Sequence, residues 1–248
     1  MIPRGFFSSA PAAPDQAIDG FNAVTGDSVG SIVSGNLTTA NAGDVIVVLI
    51  HGMNTAGGTR TISGVTKTGG TGTVGTFTQQ FSTSFLDNNV DPNDYEIWTA
   101  VASTTLTNAQ FTATVAASSI FHACSMIVFG ATHTNTSTPI DADGFFSAHS
   151  SGGTQNTPSV GSVNIAASKS MLIGFFSCSS IPADGGANPS TTDYSATGYT
   201  KIVGSFDSNG SACQAEFKKF TGAQSGLTTA FTASLRNWTM IAFALRHS

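Results

Sequence analysis

The chain has 248 residues and a net charge of -5, and only 9% of its residues are charged, against about 25% in a typical soluble protein. The sequence has no cluster of Lys and Arg with which to bind nucleic acid and no apolar run approaching the ~20 residues of a membrane-spanning helix. Disorder is excluded because 40% of the residues are hydrophobic, whereas disordered chains combine low hydrophobicity with high charge. Ser and Thr make up about a quarter of the residues, so the composition predicts a β-rich protein with a hydroxyl-covered surface.

Residues 1–26 predict an extended amino-terminal arm, because they contain many turn-forming Pro and Gly residues and no sustained hydrophobic period. The arm lacks the apolar segment of about 7–15 residues that marks a secretory signal. Chain ends are rarely ordered unless something holds them. We therefore expect the arm to lie along its own or a neighbouring subunit, and predict that it contacts another subunit.

From Asp27 onward the pattern is one of short strands separated by turns. Asp44–His51 is almost continuously apolar and β-branched, which is typical of a strand buried on both faces. Phe77–Leu86 and Tyr95–Ala102 flank the polar turn 87–94, which predicts a hairpin. Ser28–Leu37 predicts either a strand pair or a single bent strand, and Gly52–Gly75 predicts a loop that can enclose a short strand at Thr61–Thr66. Further strands are predicted at Phe111–Val115 and Ile120–Gly130. No segment has helical periodicity with caps, so the predicted fold class is all-β.

The second half of the chain repeats the order of the first. The matched landmarks are Ser28-Val-Gly-Ser31 with Ser159-Val-Gly-Ser162, the strands Val45–Ile50 with Met171–Phe176, Phe77–Phe85 with Tyr199–Phe206, Phe111 with Phe231, and Met126 with Met240. Such self-similarity indicates an internal duplication, with pseudo-repeats at about 27–131 and 157–248 joined by the polar stretch 132–156. We predict one duplicated, jelly-roll-like β-sandwich over residues 27–248, in which strand pairs of the two repeats interleave.

Two motifs invite a hydrolase assignment. The apolar strand that ends in His51-Gly52 resembles the oxyanion strand of α/β-hydrolases, and Gly26-Asp-Ser-Val-Gly30 fits the G-x-S-x-G pattern. A nucleophile elbow, however, needs a strand before the serine and a helix after it, and neither is predicted around Ser28. The two motifs also occur in the reverse of the hydrolase order. We therefore expect no catalytic residue and interpret His51 as a strand-end residue hydrogen-bonded to a loop.

No metal or cofactor is expected. The turn Asp87–Asp94 offers oxygen ligands at alternate positions, as calcium loops do, but it lacks the turn glycine and the bidentate Glu. An ordinary Asp/Asn turn is therefore favoured, and calcium binding stays open. The histidines outside the His51 strand (His122, His133, His149 and His247) lack a zinc-binding arrangement.

Cysteines and large aromatic residues predict core rather than function. The cysteines Cys124, Cys178 and Cys213 make no disulfide framework, and their spacing suits no metal, so we expect free thiols and synthesis in a reducing cytoplasm. Four aromatic residues could form a sugar-stacking platform, but aromatic residues in half-buried strands are more often core; these are Tyr95, Trp98, Phe217 and Trp238.

Several features of the sequence also occur together in one known class of proteins. The Ala42-Gly-Asp44 entry to an apolar strand, Tyr95-Glu-Ile-Trp98 after a hairpin, and the Phe111 and Met126 strands are all repeated. In pattern and composition the chain resembles the jelly-roll structural proteins of tailed bacteriophages, which include capsid decoration, fibre and tail-associated proteins. The resemblance covers about residues 27–246 and carries over no catalytic residue.

The resemblance implies a non-enzymatic virion structural protein, either a capsid-surface decoration or a tail- or fibre-associated component. It would be made in the host cytoplasm and assemble with copies of itself and other virion proteins. A homo-oligomer, most simply a trimer, is expected, without nucleic acid or membrane partners. Two other functions stay open: a receptor- or glycan-binding adhesin module, and, less favoured, a serine hydrolase that uses Ser28.

Overall fold

The structure is a computed structural model that describes residues 15–53, 61–87, 91–116, 121–141, 145–149, 157–165, 169–180, 188, 190–206, 212–233 and 236–248. Within these ranges the chain forms strands and no helix, which confirms the all-β prediction. The strands of the first repeat are β1 (Ala17–Val29), β2 (Ser31–Val33), β3 (Val45–Met53), β4 (Ile62–Thr71), β5 (Thr78–Asp87), β6 (Asp91–Val101), β7 (Thr107–Val115) and β8 (Phe121–Thr132). Those of the second repeat, whose first strand lies within the predicted join 132–156, are β9 (Phe146–His149), β10 (Ser159–Ile165), β11 (Ser170–Ser180), β12 (Thr200–Phe206), β13 (Ala212–Phe220), β14 (Gln224–Ala230) and β15 (Arg236–Arg246).

The two repeats have the same strand order. The first forms a five-stranded sheet, β1-β8-β3-β6-β5, and a three-stranded sheet, β2-β7-β4. The second forms a five-stranded sheet, β9-β15-β11-β13-β12, and a two-stranded sheet, β10-β14. The five-stranded sheets are called the inner sheets below, and the smaller ones the outer sheets. This correspondence confirms the duplicated strand pattern that the sequence landmarks indicate.

Strands of the two repeats do not interleave. Every ladder between described strands is antiparallel and joins strands of one repeat. Each repeat is therefore a two-sheet sandwich of its own, and the sequence-based expectation of interleaved strand pairs differs from the structure on this point. The reason is local: each repeat contains enough neighbouring strands to complete both of its sheets.

The four sheets stack as layers, with an outer sheet at each side and the two inner sheets in the middle. Apolar side chains fill the space within each sandwich. A third apolar core, called the central core here, lies between the inner sheets and receives side chains from both repeats. Both inner sheets are consequently covered on both faces.

β3 shows how the sequence encodes this layering. Its side chains alternate between two cores because successive residues of a strand point to opposite faces. Ile46, Val48 and Ile50 enter the core of the first sandwich, and Val45, Val47 and Leu49 enter the central core. All residues of β3 are buried, which confirms the prediction of a strand covered on both faces.

The amino-terminal segment differs from its prediction. Residues 17–26, which the sequence assigns to an extended arm, form most of β1, and β1 pairs along its length with β8 of the same chain. Residues 1–14 lie outside the described ranges, so the predicted contact between the arm and another subunit stays a prediction for them.

The polar stretch 132–156, which joins the repeats, also packs against the fold: the Phe145 ring stacks on the Phe81 ring with centroids 4.6 Å apart.

Candidate functional site

The two hydrolase-like motifs lie on strands that are not neighbours. Ser28 is part of β1, where the backbone of Ala17–Val29 is strand throughout, whereas a nucleophile elbow requires a turn followed by a helix. His51 lies on β3, and β8 separates β3 from β1 within the sheet. The backbone around Ser28 therefore lacks the geometry that gives an elbow serine its exposed position.

His51 is a buried, neutral side chain. It is 1% exposed, and its Nε2 lies 2.8 Å from Oδ1 of Asn93. Burial lowers the pKa of His51 to about 4, although the hydrogen bond to Asn93 acts in the opposite direction. Its partner belongs to strand β6 rather than to a loop, which differs from the sequence-based interpretation. A neutral imidazole with one nitrogen engaged inside the fold suits a structural role.

Two rows of buried polar or thiol side chains face each other across the central core. Each row crosses three neighbouring strands of one inner sheet. The first row is Tyr95, His51 and Ser125, and the second is Cys213, Ser177 and Thr239. The rows occupy equivalent places in the two repeats, because β6, β3 and β8 of the first sheet correspond to β13, β11 and β15 of the second.

Hydrogen bonds join the two rows across the core. The Tyr95 hydroxyl donates to the backbone oxygen of Thr239 at 2.9 Å and accepts from the Thr239 hydroxyl at 2.6 Å. The Ser177 hydroxyl donates to Ser125 Oγ at 3.2 Å. Apolar contacts tolerate sliding, whereas buried hydrogen bonds require one alignment. The paired rows, called the polar seam below, therefore fix how the two sandwiches are aligned.

The three cysteines confirm the sequence-based interpretation as free, buried thiols. Burial raises the pKa of Cys178 and of Cys213 to about 12, and it raises the pKa of Cys124 as well. The thiolate is the reactive form of cysteine. At neutral pH these side chains therefore act as small apolar groups.

The chain contains two glutamates, and each is buried inside one sandwich. Glu96 accepts hydrogen bonds from the Ile62 backbone at 2.6 Å and from the side chains of Gln79 and Trp98, each at 2.7 Å. Burial is the main cause that raises the pKa of Glu96. Since Ile62 opens β4 of the outer sheet, this carboxylate ties the outer sheet to the inner one.

Glu216 does the same in the second repeat. It is fully buried and accepts hydrogen bonds from the Thr229 hydroxyl and from the Ala196 backbone, the latter at 2.9 Å. Burial raises the pKa of Glu216 to about 7. Thr229 lies on β14, so this contact again joins the inner sheet to the outer sheet. Sequence inspection missed both glutamates, although a lone acidic residue inside an apolar strand was the available signal.

The structure separates the aromatic residues of the predicted sugar platform. Trp98 packs against the core of the first sandwich, Tyr95 and Phe217 pack in the central core, and Trp238 packs in the core of the second sandwich. Distribution over three cores confirms the interpretation of these rings as core residues.

The possible calcium turn 87–94 lies partly outside the described residues. Of its side chains, Asn93 bonds His51 and Asp94 accepts a hydrogen bond from Ser84, and both are buried. Calcium binding there stays untested. Within the described ranges, no group of three or more His, Cys, Asp or Glu side chains is placed to hold a metal ion.

β3 and β11 begin at equivalent ends of the two repeats, which are called the lower ends here. The backbone has the same conformation just before each strand, but the residues there differ in charge. Gly43 precedes β3 with a φ of +87°, and Lys169 occupies the equivalent place before β11 with a φ of +83°. The next residue is Asp44 in the first repeat and Ser170 in the second, each 2% exposed. Burial, with the nearby Asp19, raises the pKa of Asp44 to about 7.

Lys169 is in an unfavourable backbone conformation. A positive φ costs a non-glycine residue about 1–2 kcal/mol. Its Nζ lies 3.2 Å from Oδ1 of Asp15, but the Asp15 side chain is 72% exposed, and such surface ion pairs contribute only about 0–1 kcal/mol. The ion pair alone therefore does not offset the backbone strain.

Comparison of the chain with known protein families, with characterised proteins and with solved structures gave no match. In the described part of the chain there is also no helix long and apolar enough to span a membrane.

Proposed function

We propose that the protein is a non-enzymatic structural component of a tailed-phage particle, which acts by docking against copies of itself and against other virion proteins. The observation that carries this proposal is the chemistry of the outer sheets. Within the described strands of both outer sheets, Lys67 is the one charged residue. Two broad sheet faces at opposite sides of the molecule are therefore covered by hydroxyl, amide and small apolar groups.

The exposed side of the first outer sheet illustrates this surface. Thr66 pairs with Thr112 across neighbouring strands, Thr114 pairs with Ser31, and Val33 is 45% exposed. Charged residues are depleted from the buried centres of protein interfaces, because burying an unpaired charge is costly. A sheet with a single charged residue can dock onto a neighbour with little desolvation cost, which supports an assembly role.

The buried polar side chains support a non-catalytic function. The most unusual polar groups among the described residues, namely the polar seam and the two glutamates, are buried and hydrogen-bonded within the fold. General acid–base or nucleophilic catalysis requires such groups to reach a substrate. Here they align the sheets instead.

The strand order supports the class of protein that the sequence resembles. In the first repeat, strands β1, β8, β3 and β6 of the inner sheet face β2, β7 and β4 of the outer sheet. This alternation of early and late strands between two sheets is the one expected of a jelly roll, a fold common among capsid proteins. In this proposal β5 joins the inner sheet as an added hairpin strand.

Mass photometry of the purified chain tests the proposal. We expect a discrete oligomer, most simply a trimer, that persists at nanomolar concentration. Substitution of the exposed Thr114 by Lys places a charge on the first outer face, and Thr228→Lys does so on the second outer face. At least one of these changes should shift the oligomer to smaller species.

Ala40→Lys, in the exposed loop before β3, adds the same charge away from both sheet faces and should leave the oligomer intact. A wild-type protein that stays monomeric at micromolar concentration contradicts the assembly proposal. Monomers that bind a glycan array support the adhesin alternative, and labelling of Ser28 by a covalent serine probe supports the hydrolase.

A further inference from the structure

A small pocket opens at the lower end of the second repeat. Its volume is about 40 Å³, which is room for about three water molecules or one small anion. It is lined by two lysines, Lys169 and Lys219, together with Gln16, Ser170 and His247. Asp15 also lines it, so one carboxylate faces two lysines.

Two polar atoms at this pocket are buried without a hydrogen-bond partner among the described residues. They are Oε1 of Gln16 and Oγ of Ser170, on side chains that are 3% and 2% exposed. Buried polar groups are nearly always hydrogen-bonded, to protein, water or ligand. The Gln16 amide is held at its other end, where Nε2 donates to Thr134 Oγ1 at 3.0 Å. Both side chains therefore have unused hydrogen-bonding capacity next to the pocket that they line.

We propose that this pocket binds a small oxyanion, such as a phosphate, sulfate or carboxylate group. Lysine ammonium groups bind phosphate as point charges, and the Ser170 hydroxyl can donate a further hydrogen bond. Rotation of the Gln16 amide by 180° presents its NH₂ group to the anion, while the Thr134 hydroxyl then donates to the amide oxygen.

Comparison of the repeats supports an acquired binding role. At the lower end of the first repeat, the equivalent positions hold Gly43 and Asp44, and the Asp44 carboxyl would repel an anion. The second repeat replaces this glycine with Lys169, despite its positive φ, and the acid with Ser170. Both differences make the lower end of the second repeat more favourable to an anion than that of the first.

Isothermal titration calorimetry of the full chain tests the proposal, with sodium phosphate, sulfate and acetate at matched ionic strength. We expect saturable binding of at least one of them, and the preferred anion distinguishes a tetrahedral oxyanion from a carboxylate. Lys169→Gly should weaken binding at least tenfold while raising the thermal midpoint of the anion-free protein. Ser170→Ala should also weaken binding.

Lys67→Ala is the matched control, because Lys67 lies on the first outer sheet and donates to the Gly70 backbone oxygen at 3.0 Å. It removes the same charge and should leave the affinity within about twofold of the wild type. The proposal is overturned if none of the three anions binds saturably, or if Lys169→Gly and Lys67→Ala bind equally well. In that outcome the pocket holds water only.

Discussion

The buried carboxyl of Glu216 should make the stability of the second sandwich decrease as pH rises. Its pKa is raised from 4.5 to about 7 in the folded protein, chiefly by burial. Below pH 4.5 the carboxyl is protonated in both the folded and the unfolded chain. Between pH 4.5 and about 7 the unfolded chain releases this proton while the folded chain keeps it, so folding becomes less favourable with rising pH.

The size of the effect follows from the two pKa values. The difference between 4.5 and about 7, at about 1.4 kcal/mol for each pKa unit, amounts to about 3 kcal/mol. Glu216 is fully buried, so solvent screening reduces this figure little. Other groups titrate in the same pH window. The raised pKa of Asp44 also makes stability decrease as pH rises. His51 has the opposite effect, because below pH 6.5 the unfolded chain binds a proton at this imidazole while the folded chain keeps it neutral.

Glu216→Gln isolates the contribution, because the amide has a similar shape and no charge. The measurement is the free energy of unfolding by urea at pH 5, 6, 7 and 8, for wild type and variant. Both side chains are neutral in the folded proteins at pH 5, and the wild type should lose about 3 kcal/mol of stability relative to the variant between pH 5 and pH 8. A difference between the two proteins that stays constant from pH 5 to pH 8 refutes the reasoning.

Two further substitutions test the packing. Tyr95→Phe removes the hydrogen bonds between the tyrosine hydroxyl and Thr239 of the opposite sheet and should cost about 1–3 kcal/mol in urea unfolding. Tyr199→Phe, at a half-exposed ring, should cost less, and equal losses would argue against the alignment role of the seam. Gly130→Ala places a Cβ 2.5 Å from the backbone oxygen of Asp19 on β1, and should lower stability by about 1–3 kcal/mol. Gly64→Ala, which meets nothing within 4 Å, is its control, and similar thermal midpoints for the two variants would contradict the predicted clash.

Features encoded by neighbouring residues were predictable from the sequence. The β5–β6 hairpin follows from two strand patterns around a polar turn, and its pairing runs from Thr78 opposite Thr99 to Asp87 opposite Asp91. The unbroken apolar run of β3 predicts that both faces of this strand are buried. The duplication was readable because matched landmarks keep their order, and the strand order of both repeats agrees.

Features that depend on distant partners were not predictable from the sequence. β1 has weak alternation of its own and a register shift between Ile18 and Phe21, and its partner β8 lies about a hundred residues away, so nothing local marks residues 17–26 as a strand. The polar seam needs six residues from six strands to meet. The basic pocket combines Gln16 with residues near positions 169, 219 and 247, which only the folded chain brings together.

The central core resembles a dimer interface, because two sheets of matching strand order pack face to face, yet it lies within one polypeptide. Linking the two halves makes their association unimolecular, so it proceeds at a high effective concentration and does not weaken on dilution. A true dimer must present the same residue on both sides of its axis, whereas the linked halves are free to diverge. Tyr95 faces Thr239 on one side, and the corresponding place on the other side holds the much smaller Cys213, a mismatch that no symmetric pair of identical chains could adopt.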